Sequence, residues 1–595
     1  VLLVHRVHRL RTWSSRIGAG VAMGVCFSAG HILWLATTVA IAATYLVCLS
    51  VRGVRDTSSA LRALVDPLVV GVMALAVGAV TLLPFLHAVG GSQRKAFGYD
   101  DLYRYFPSFG THNLASPRAL LHVFWPTGDL TIESLNSSLI FVGTASGVLA
   151  LVACFSHRPG AALGRWLMIF FGLAAIGGPV TWLAYHAVPM FRVLWPYGRW
   201  FQWASFGIAL LAGIGLDCVQ DRLAERMPVR GRQVAVAASV VLLSLTAVQL
   251  LVAGRALEPG FARPADVYPR TGLVDAITAF AADSPWPART VPLSGSNRAL
   301  GTALLLGPGN HGDIVGADLV GGYDSVVPRQ SVTTLRWLQG QPLETADRQS
   351  FAAFASFLVS ENVRYDQLAR FGVTAMATPP AYRVGADWGG PVRKALPQRV
   401  LYSGDDGNLI AIPNPAAGPR VVNRFTTVGS ELESFRTYVA PGFPWEVSAV
   451  MTTEEAARLP ASVREALTGG PINQTVSDVR AKTNSLGLRV QSNRPGLLVL
   501  PENWNAGWSA TLNGRPASLL RVNYTSMAVA VPEGESRLVL GFEPVGFRSG
   551  ALVSAGALAL GAGVGGVDLW RGRRRRAVGG DNDLSEELVG QQPRS

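Results

Sequence analysis

The sequence predicts a polytopic α-helical membrane bundle. It also predicts a large extracytoplasmic α/β plus β-sandwich domain and a closing C-terminal transmembrane helix. Three observations lead there. Of the 595 residues only 15% are charged and 49% are hydrophobic, and mean hydropathy is +0.28. A soluble domain carries about a quarter charged residues, and a disordered chain has low hydrophobicity, so both are excluded. Several runs approach the roughly 20 apolar residues that cross a bilayer. Finally, the basic residues flank those runs with a threefold bias to alternate sides.

The candidate spans are 17–29, 31–50, 66–86, 138–156, 166–186, 200–217, 233–253 and 549–570. The first is short and glycine-rich, and ends at Ser28-Ala29-Gly30-His31, where a helix can break inside the membrane. Segments 1–16, 51–65, 157–165, 218–232 and 571–576 hold 18 arginines in 61 residues. The intervening short segments 87–137 and 187–199 hold 6 Lys or Arg in 64. The bias puts the first set in the cytoplasm. Residues 254–548 then lie outside, and 571–595 form a basic cytoplasmic tail that begins with Arg571-Gly572-Arg573-Arg574-Arg575-Arg576. Net charge is +13, but it is spent at membrane flanks, with no stripe of the kind that tracks a nucleic acid. The chain opens Val1-Leu2-Leu3-Val4, and the arginines that follow look like an internal loop, so the N-terminus reads as incomplete.

Within 254–445 the pattern mixes helices and strands. Residues 331–340 and 350–371 have helical spacing, the latter with Phe351, Phe354, Phe357 and Leu358 on one side; 373–378 and 408–412 read as strands. From 446 to 548 the pattern is all-β, with short strands at 485–491, 496–501, 507–512, 518–523, 526–531 and 536–542. Asn513-Gly514 is a hairpin signal, because both residues tolerate positive φ. Regular short strands of this kind imply a β-sandwich. The four cysteines, Cys26, Cys48, Cys154 and Cys218, lie in or beside spans, at no metal or disulfide spacing.

Several stretches together carry a family resemblance. They are Glu502-Asn503-Trp504-Asn505-Ala506-Gly507-Trp508, Leu512-Asn513-Gly514-Arg515, Val531-Pro532-Glu533-Gly534, and Phe542-Glu543-Pro544 with Phe547-Arg548-Ser549-Gly550. Earlier in the chain come Gly321-Gly322-Tyr323-Asp324, Phe191-Arg192 with Gly198-Arg199-Trp200-Phe201, Leu211-Ala212-Gly213-Ile214-Gly215-Leu216-Asp217, and Ala29-Gly30-His31. In this order they resemble the bacterial YfhO membrane-protein family. The family is similar to membrane glycosyltransferases of the GT-C type. The resemblance implies a bacterial plasma-membrane enzyme that moves a sugar from a polyprenyl-phosphate donor to a cell-envelope polymer on the outer face. It implies as partners the polyprenyl-phosphate-linked sugar, a glycopolymer acceptor, membrane lipid and an enzyme that makes the donor. It permits a divalent cation, for which no ligand set is visible, and no other cofactor. The sequence departs from the pattern at its start, where the family has further spans and GT-C enzymes carry a catalytic acid in the first external loop.

Such a transferase needs a carboxylate near the acceptor hydroxyl and a cation on the lipid phosphate. Asp100 and Asp101, in the loop 87–137, are the candidate acids; the rival reading makes them a helix cap. Arg192 and Arg199 are the candidate phosphate ligands, or else interfacial anchors of an aromatic belt. His31 is a binding candidate as an ionisable residue at a span end. Tyr323 and Asp324 either face the acceptor or form a structural turn. Trp504 and Trp508 either stack on sugar or fill the sandwich core. Two other readings remain: a non-catalytic transporter or scaffold for lipid-linked glycan, and an inactive fragment of the transferase.

Overall fold

The structure is a computed structural model. It describes most of residues 2–27, 57–92, 98–117, 142–256, 270–294, 327–378 and 399–589, together with scattered positions in 38–49 and 316–320. It divides into two compact units, residues 1–90 with 543–595, and residues 91–542.

In the first unit, helices α1 (Trp13–Cys26) and α2 (Thr57–Gly90) pack on the last helix of the chain, Phe547–Val589. Small residues let the backbones approach, as in other membrane helix pairs. A Cβ on Gly24 would fall 2.8 Å from the Ala74 carbonyl, and one on Gly550 would fall 2.4 Å from that of Ala79. Asp66, 1% exposed, is paired with Arg16 at 2.7 Å. The last helix continues past its apolar part through the arginine run of the tail as far as Val589.

In the second unit, α3 (Thr144–Cys154), α4 (Ala161–Ile176), α5 (Pro179–Ala187), α6 (Phe201–Arg226) and α7 (Gly231–Ala256) form a bundle around α6. A Cβ on Gly207 would meet the Gly164 carbonyl at 2.7 Å, and one on Gly215 would meet that of Leu149 at 2.0 Å. Among the described residues, four helical segments are long and apolar enough to cross a membrane: Leu64–Gly90, Phe201–Arg226, Gln233–Val252 and Phe547–Asp568. Only 11% of the Gln233–Val252 segment is buried, so most of its apolar surface is left for lipid.

Three expected spans differ from what is found. The run 166–186 is not one helix: α4 and α5 meet at 94°. The cause is Gly177-Gly178, at φ +97° and +94°, followed by Pro179. Glycine alone adopts such angles freely, and proline starts a new helix well. The run 138–156 yields α3, only 11 residues long and entered through Gly143 at φ +95°. The run 17–29 becomes α1, which begins at Trp13 under a Thr12 cap and ends at Cys26. Most of 31–50 lies outside the described residues.

Beside a parallel pair, Arg424–Val428 with Ser448–Thr452, and a short antiparallel pair, Tyr105–Phe106 with Thr111–His112, the rest of this unit is built mainly on three sheets. The first is mixed, with strands β1 (Arg289–Ser294), β2 (Asp318–Leu319), β3 (Leu358–Val359), β4 (Val373–Thr378), β5 (Arg399–Gly404) and β6 (Gly407–Ala411). Its order is β2-β1-β4-β6-β5, with β3 on the end of β1. Helix α8 (Gly272–Asp283) packs on this sheet through Leu273, Val274 and Ile277. The expected helix 350–371 is replaced by β3 and a 3-10 turn at Tyr365–Phe371, ended by Gly372 at φ +78°; Phe351, Phe354 and Phe357 fall outside the described residues.

The other two sheets form the β-sandwich. One has five strands, from Gln474–Lys482, Ser485–Ser492, Gly534–Phe542, Trp508–Leu512 and Arg515–Ala517. The other has four, from Leu519–Val522, Ser526–Val531, Gly496–Leu500 and Arg420–Val422. Leu486, Leu488, Val490, Leu538 and Leu540 of the first meet Leu498, Leu500, Met527 and Val529 of the second. Gly496–Leu500 is buried at every position, unlike the alternating Ser485–Ser492 of the other sheet. The reason is a second apolar layer: Leu497 and Val499 face Ala449, Met451 and Leu459. Arg420–Val422 lies well before the all-β stretch in sequence, yet supplies an edge of this sheet.

Arg289 clamps the mixed sheet to the sandwich. Its guanidinium donates to Asp318 at 3.3 Å, the Pro501 carbonyl at 2.7 Å and Glu502 at 2.9 Å. Burial alone would push its pKa down, but Glu502 and Asp318 more than offset that and raise it. Removing a buried ion-pair partner costs about 3 kcal/mol or more, because the remaining charges are stranded. Arg289→Ala should therefore lower the thermal transition of the purified protein clearly. Gly207→Val should cost about 2 kcal/mol by overpacking, whereas Gly213→Val, whose Cβ would meet open space, should change little. Equal transitions for the two glycine variants would refute the close-packing account of α6.

Candidate functional site

The break between α4 and α5 is where the chemistry gathers. Residues Tyr99–Tyr103 form a short 3-10 turn. Tyr103 reaches the break: its hydroxyl accepts from Gly178 N at 3.4 Å and shares a 2.7 Å hydrogen bond with the Tyr99 hydroxyl. The Tyr99 ring packs edge-on against Tyr185 at 5.5 Å and against His186 at 5.4 Å. Burial, and then the Tyr103 bond, push the Tyr99 phenol up to about 12, so it is neutral near pH 7.

The two acids of this turn have different surroundings. Asp101 is buried, and its Oδ2 accepts from Gly98 N at 2.8 Å, which closes the turn. Asp100 is exposed and makes no hydrogen bond or ion pair with a described residue. Arg192 ends a 3-10 turn at Pro189–Arg192, held in place by Phe191 against Trp200 at 4.5 Å. Its Nε donates to the Tyr185 carbonyl at 3.3 Å, and its guanidinium lies 5.8 Å from the centre of the Tyr185 ring. The charges of Arg192, Asp101 and Asp100 all reach the Tyr185 phenol. The terminal nitrogens of Arg192 have no partner among the described residues. An open carboxylate, an open guanidinium fork and an aromatic wall are thus assembled around one tyrosine.

The structure therefore brings together Asp100, Asp101 and Arg192 of the sequence candidates. Arg199 lies in the 3-10 turn Tyr197–Trp200, with its side chain outside the described residues. His31, Tyr323 and Asp324 are outside them too. Trp504 is half-buried against the sandwich core, with Arg521 4.8 Å from its ring centre. Trp508 packs on the same core and on Phe542, at 5.2 Å. Both sit in another part of the unit, on the sandwich. Sequence reasoning missed Tyr99, Tyr103, Tyr185 and His186. The available signal was Gly177-Gly178-Pro179 inside an apolar run, which marks a break and hence a place where backbone polar groups need partners.

A divalent cation does not fit this cluster. One oxygen of Asp101 is committed to Gly98 N. Among the described residues no three His, Cys, Asp or Glu side chains come together in a way that could hold a metal.

The fold and this cluster define a multi-pass membrane protein with a β-rich domain. Residues 454–554 go further: they match the family described as bacterial membrane protein YfhO. That stretch contains the Trp504 to Trp508 run, the Asn513-Gly514 hairpin and the entry to the last helix, so the resemblance holds where those motifs lie. No match was found among curated proteins. Two solved structures are similar, both of the arabinofuranosyltransferase AftD from Mycobacteria. One has a TM-score of 0.35 at 12% identity, covering 89% of this chain and 45% of the other. The second, a mutant, has a TM-score of 0.33 at 12% identity, with coverages of 89% and 47%. The chain spans less than half the length of either.

The division of labour between the acids is testable. Asp101→Ala should weaken the turn and lower thermal stability by about 1 kcal/mol, the usual cost of a lost side-chain cap. Asp100→Asn should leave the thermal transition unchanged. The reverse pattern would mean that Asp100 is the structural acid.

Proposed function

We propose that this protein is a membrane glycosyltransferase of the GT-C type, acting on the outer face with a polyprenyl-phosphate sugar as donor and an envelope glycan as acceptor. The single observation that supports it best is that the turn bearing the exposed Asp100 and the open Arg192 guanidinium both pack on Tyr185. The YfhO match over 454–554 supports the class. The arginine bias supports the orientation, with the segment after α5 and the β-rich domain outside.

In the proposed reaction Arg192 binds the donor phosphate. A guanidinium fork suits phosphate, and it stabilises the charge that grows on the departing oxygen. Asp100 takes the proton of the acceptor hydroxyl. The hydroxyl oxygen bonds to the anomeric carbon, the bond from that carbon to the phosphate oxygen breaks, and its electron pair leaves with polyprenyl phosphate. Tyr99, Tyr103 and Tyr185 hold the acid-bearing turn against α5 and supply flat apolar surface.

The experiment is turnover in proteoliposomes with a panel of radiolabelled polyprenyl-phosphate pentoses and hexoses plus an envelope glycan extract. One donor should release polyprenyl phosphate. Asp100→Asn and Arg192→Ala should each slow that release at least 100-fold, Asp100→Asn with an unchanged thermal transition, as losses of general-base and phosphate-stabilising groups do. Full turnover by both variants would remove this cluster from the reaction.

A further inference from the structure

An open sheet edge pairs readily with another strand, so stable proteins close their edges. Three of the four edges of the sandwich are closed by local means. Arg515–Ala517 carries Pro516, which has no N–H to offer. Gln474–Lys482 is bent by a bulge between Ser477 and Arg480, with Asp478 at φ +51°. On Arg420–Val422 the Gln474 side chain takes the N–H of Val421. The fourth edge, Leu519–Val522, is closed by an ion pair.

Leu519–Val522 pairs on one side only, with Ser526–Val531. On its other side the Leu519 carbonyl accepts from Arg458 Nη2 at 3.2 Å, and the Arg521 N–H donates to Glu455 Oε2 at 3.3 Å. The same Glu455 oxygen accepts from Arg458 Nη1 at 2.9 Å. A carbonyl and the N–H two residues on are the groups that one residue of a parallel neighbouring strand would bond. Guanidinium and carboxylate put one donor and one acceptor at those two places. The short helix Thr453–Ala457, capped by Thr452, holds them there, and Glu455 is only 8% exposed.

We propose that Glu455 and Arg458 stand in for a neighbouring strand, and that they keep this edge from pairing with a second copy of the chain. Leu519, Leu520 and Val522 leave the strand with one charged residue, Arg521, so the edge is adhesive once uncovered. The Arg521 side chain does not guard it, because that side chain turns to Glu431 and to the Trp504 ring. Copies that share one membrane carry this edge at one distance from it, which makes a second copy the partner best placed to add a strand. The seal depends on which group donates and which accepts. An ion pair of the opposite sense would not serve.

The test uses the full chain in detergent. It reads hydrogen exchange at the Arg521 amide and particle mass by light scattering. Glu455→Ala with Arg458→Ala should speed that exchange about tenfold or more, the scale of one lost hydrogen bond, and double the mass. The swap Glu455→Arg with Arg458→Glu keeps an ion pair but sets donor against donor and acceptor against acceptor, so it should do the same. Glu455→Gln keeps an acceptor for Arg521 and should change neither readout. An Arg521 amide that exchanges in the wild type as fast as an unprotected one overturns the proposal, and needs no variant. So does a swap variant with slow exchange, or an unchanged mass in both double variants.

Discussion

The second unit depends on one constraint: a chain that turns inside an apolar run must find partners for the backbone groups it frees. In lipid no water does this, and each orphan costs several kcal/mol. The turn at Gly177-Gly178 meets the demand with three contacts. Thr181 Oγ1 donates to the Ala174 carbonyl at 3.0 Å, Ala115 N donates to that of Ala175 at 2.8 Å, and Tyr103 takes the Gly178 N–H. Two of these partners come from the loop before the bundle. The break therefore pins that loop to α5, and the pinned loop carries Asp100. Position of the acid and integrity of the turn are one problem with one solution.

Much of the bundle was legible because lipid makes composition informative. A long uncharged run such as 233–253 has few other structures open to it, and it is a helix. The failures are equally physical. Apolarity does not show whether a run is straight, so 166–186 read as one span although Gly177-Gly178-Pro179 carried the contrary signal. Periodicity failed over the described part of 350–371, where tertiary pairing made Leu358–Val359 a strand and Tyr365–Phe371 a 3-10 turn. The sandwich strands between 485 and 542 were readable because alternation and turn residues agree there. Arg420–Val422 was not readable as a sandwich strand, since pairing across such a separation leaves no local trace.

The candidate site was legible in part for a related reason. Sequence can nominate residue types, and Asp100, Asp101 and Arg192 were nominated. It cannot say which of two adjacent acids is spent on the backbone. Asp101 is, because a carboxylate three residues after Gly98 can close the turn onto that residue's N–H, leaving Asp100 free. Nor can it show that Tyr185 and His186, four and one residues past Thr181 and Tyr185 respectively, share a face with a turn some eighty residues earlier. That neighbourhood exists only once α5 has bent away from α4.

The bend also explains why the cationic groups are where they are. A continuous span across 166–186 would keep every carbonyl of its middle turns bonded within the helix. A nine-residue helix such as α5 has its last four carbonyls without helical partners. An Arg192 nitrogen satisfies one of these, the Tyr185 carbonyl, while His186 Nδ1 adds a second bond to the Trp182 carbonyl one turn earlier. Basic side chains at a helix C-terminus are also favoured by its dipole. Shortness of the helix thus recruits the bases, and the bases keep spare nitrogens beside an exposed carboxylate. Arg192 thus meets a structural need of the broken helix with one nitrogen, and the proposed phosphate contact would use the others.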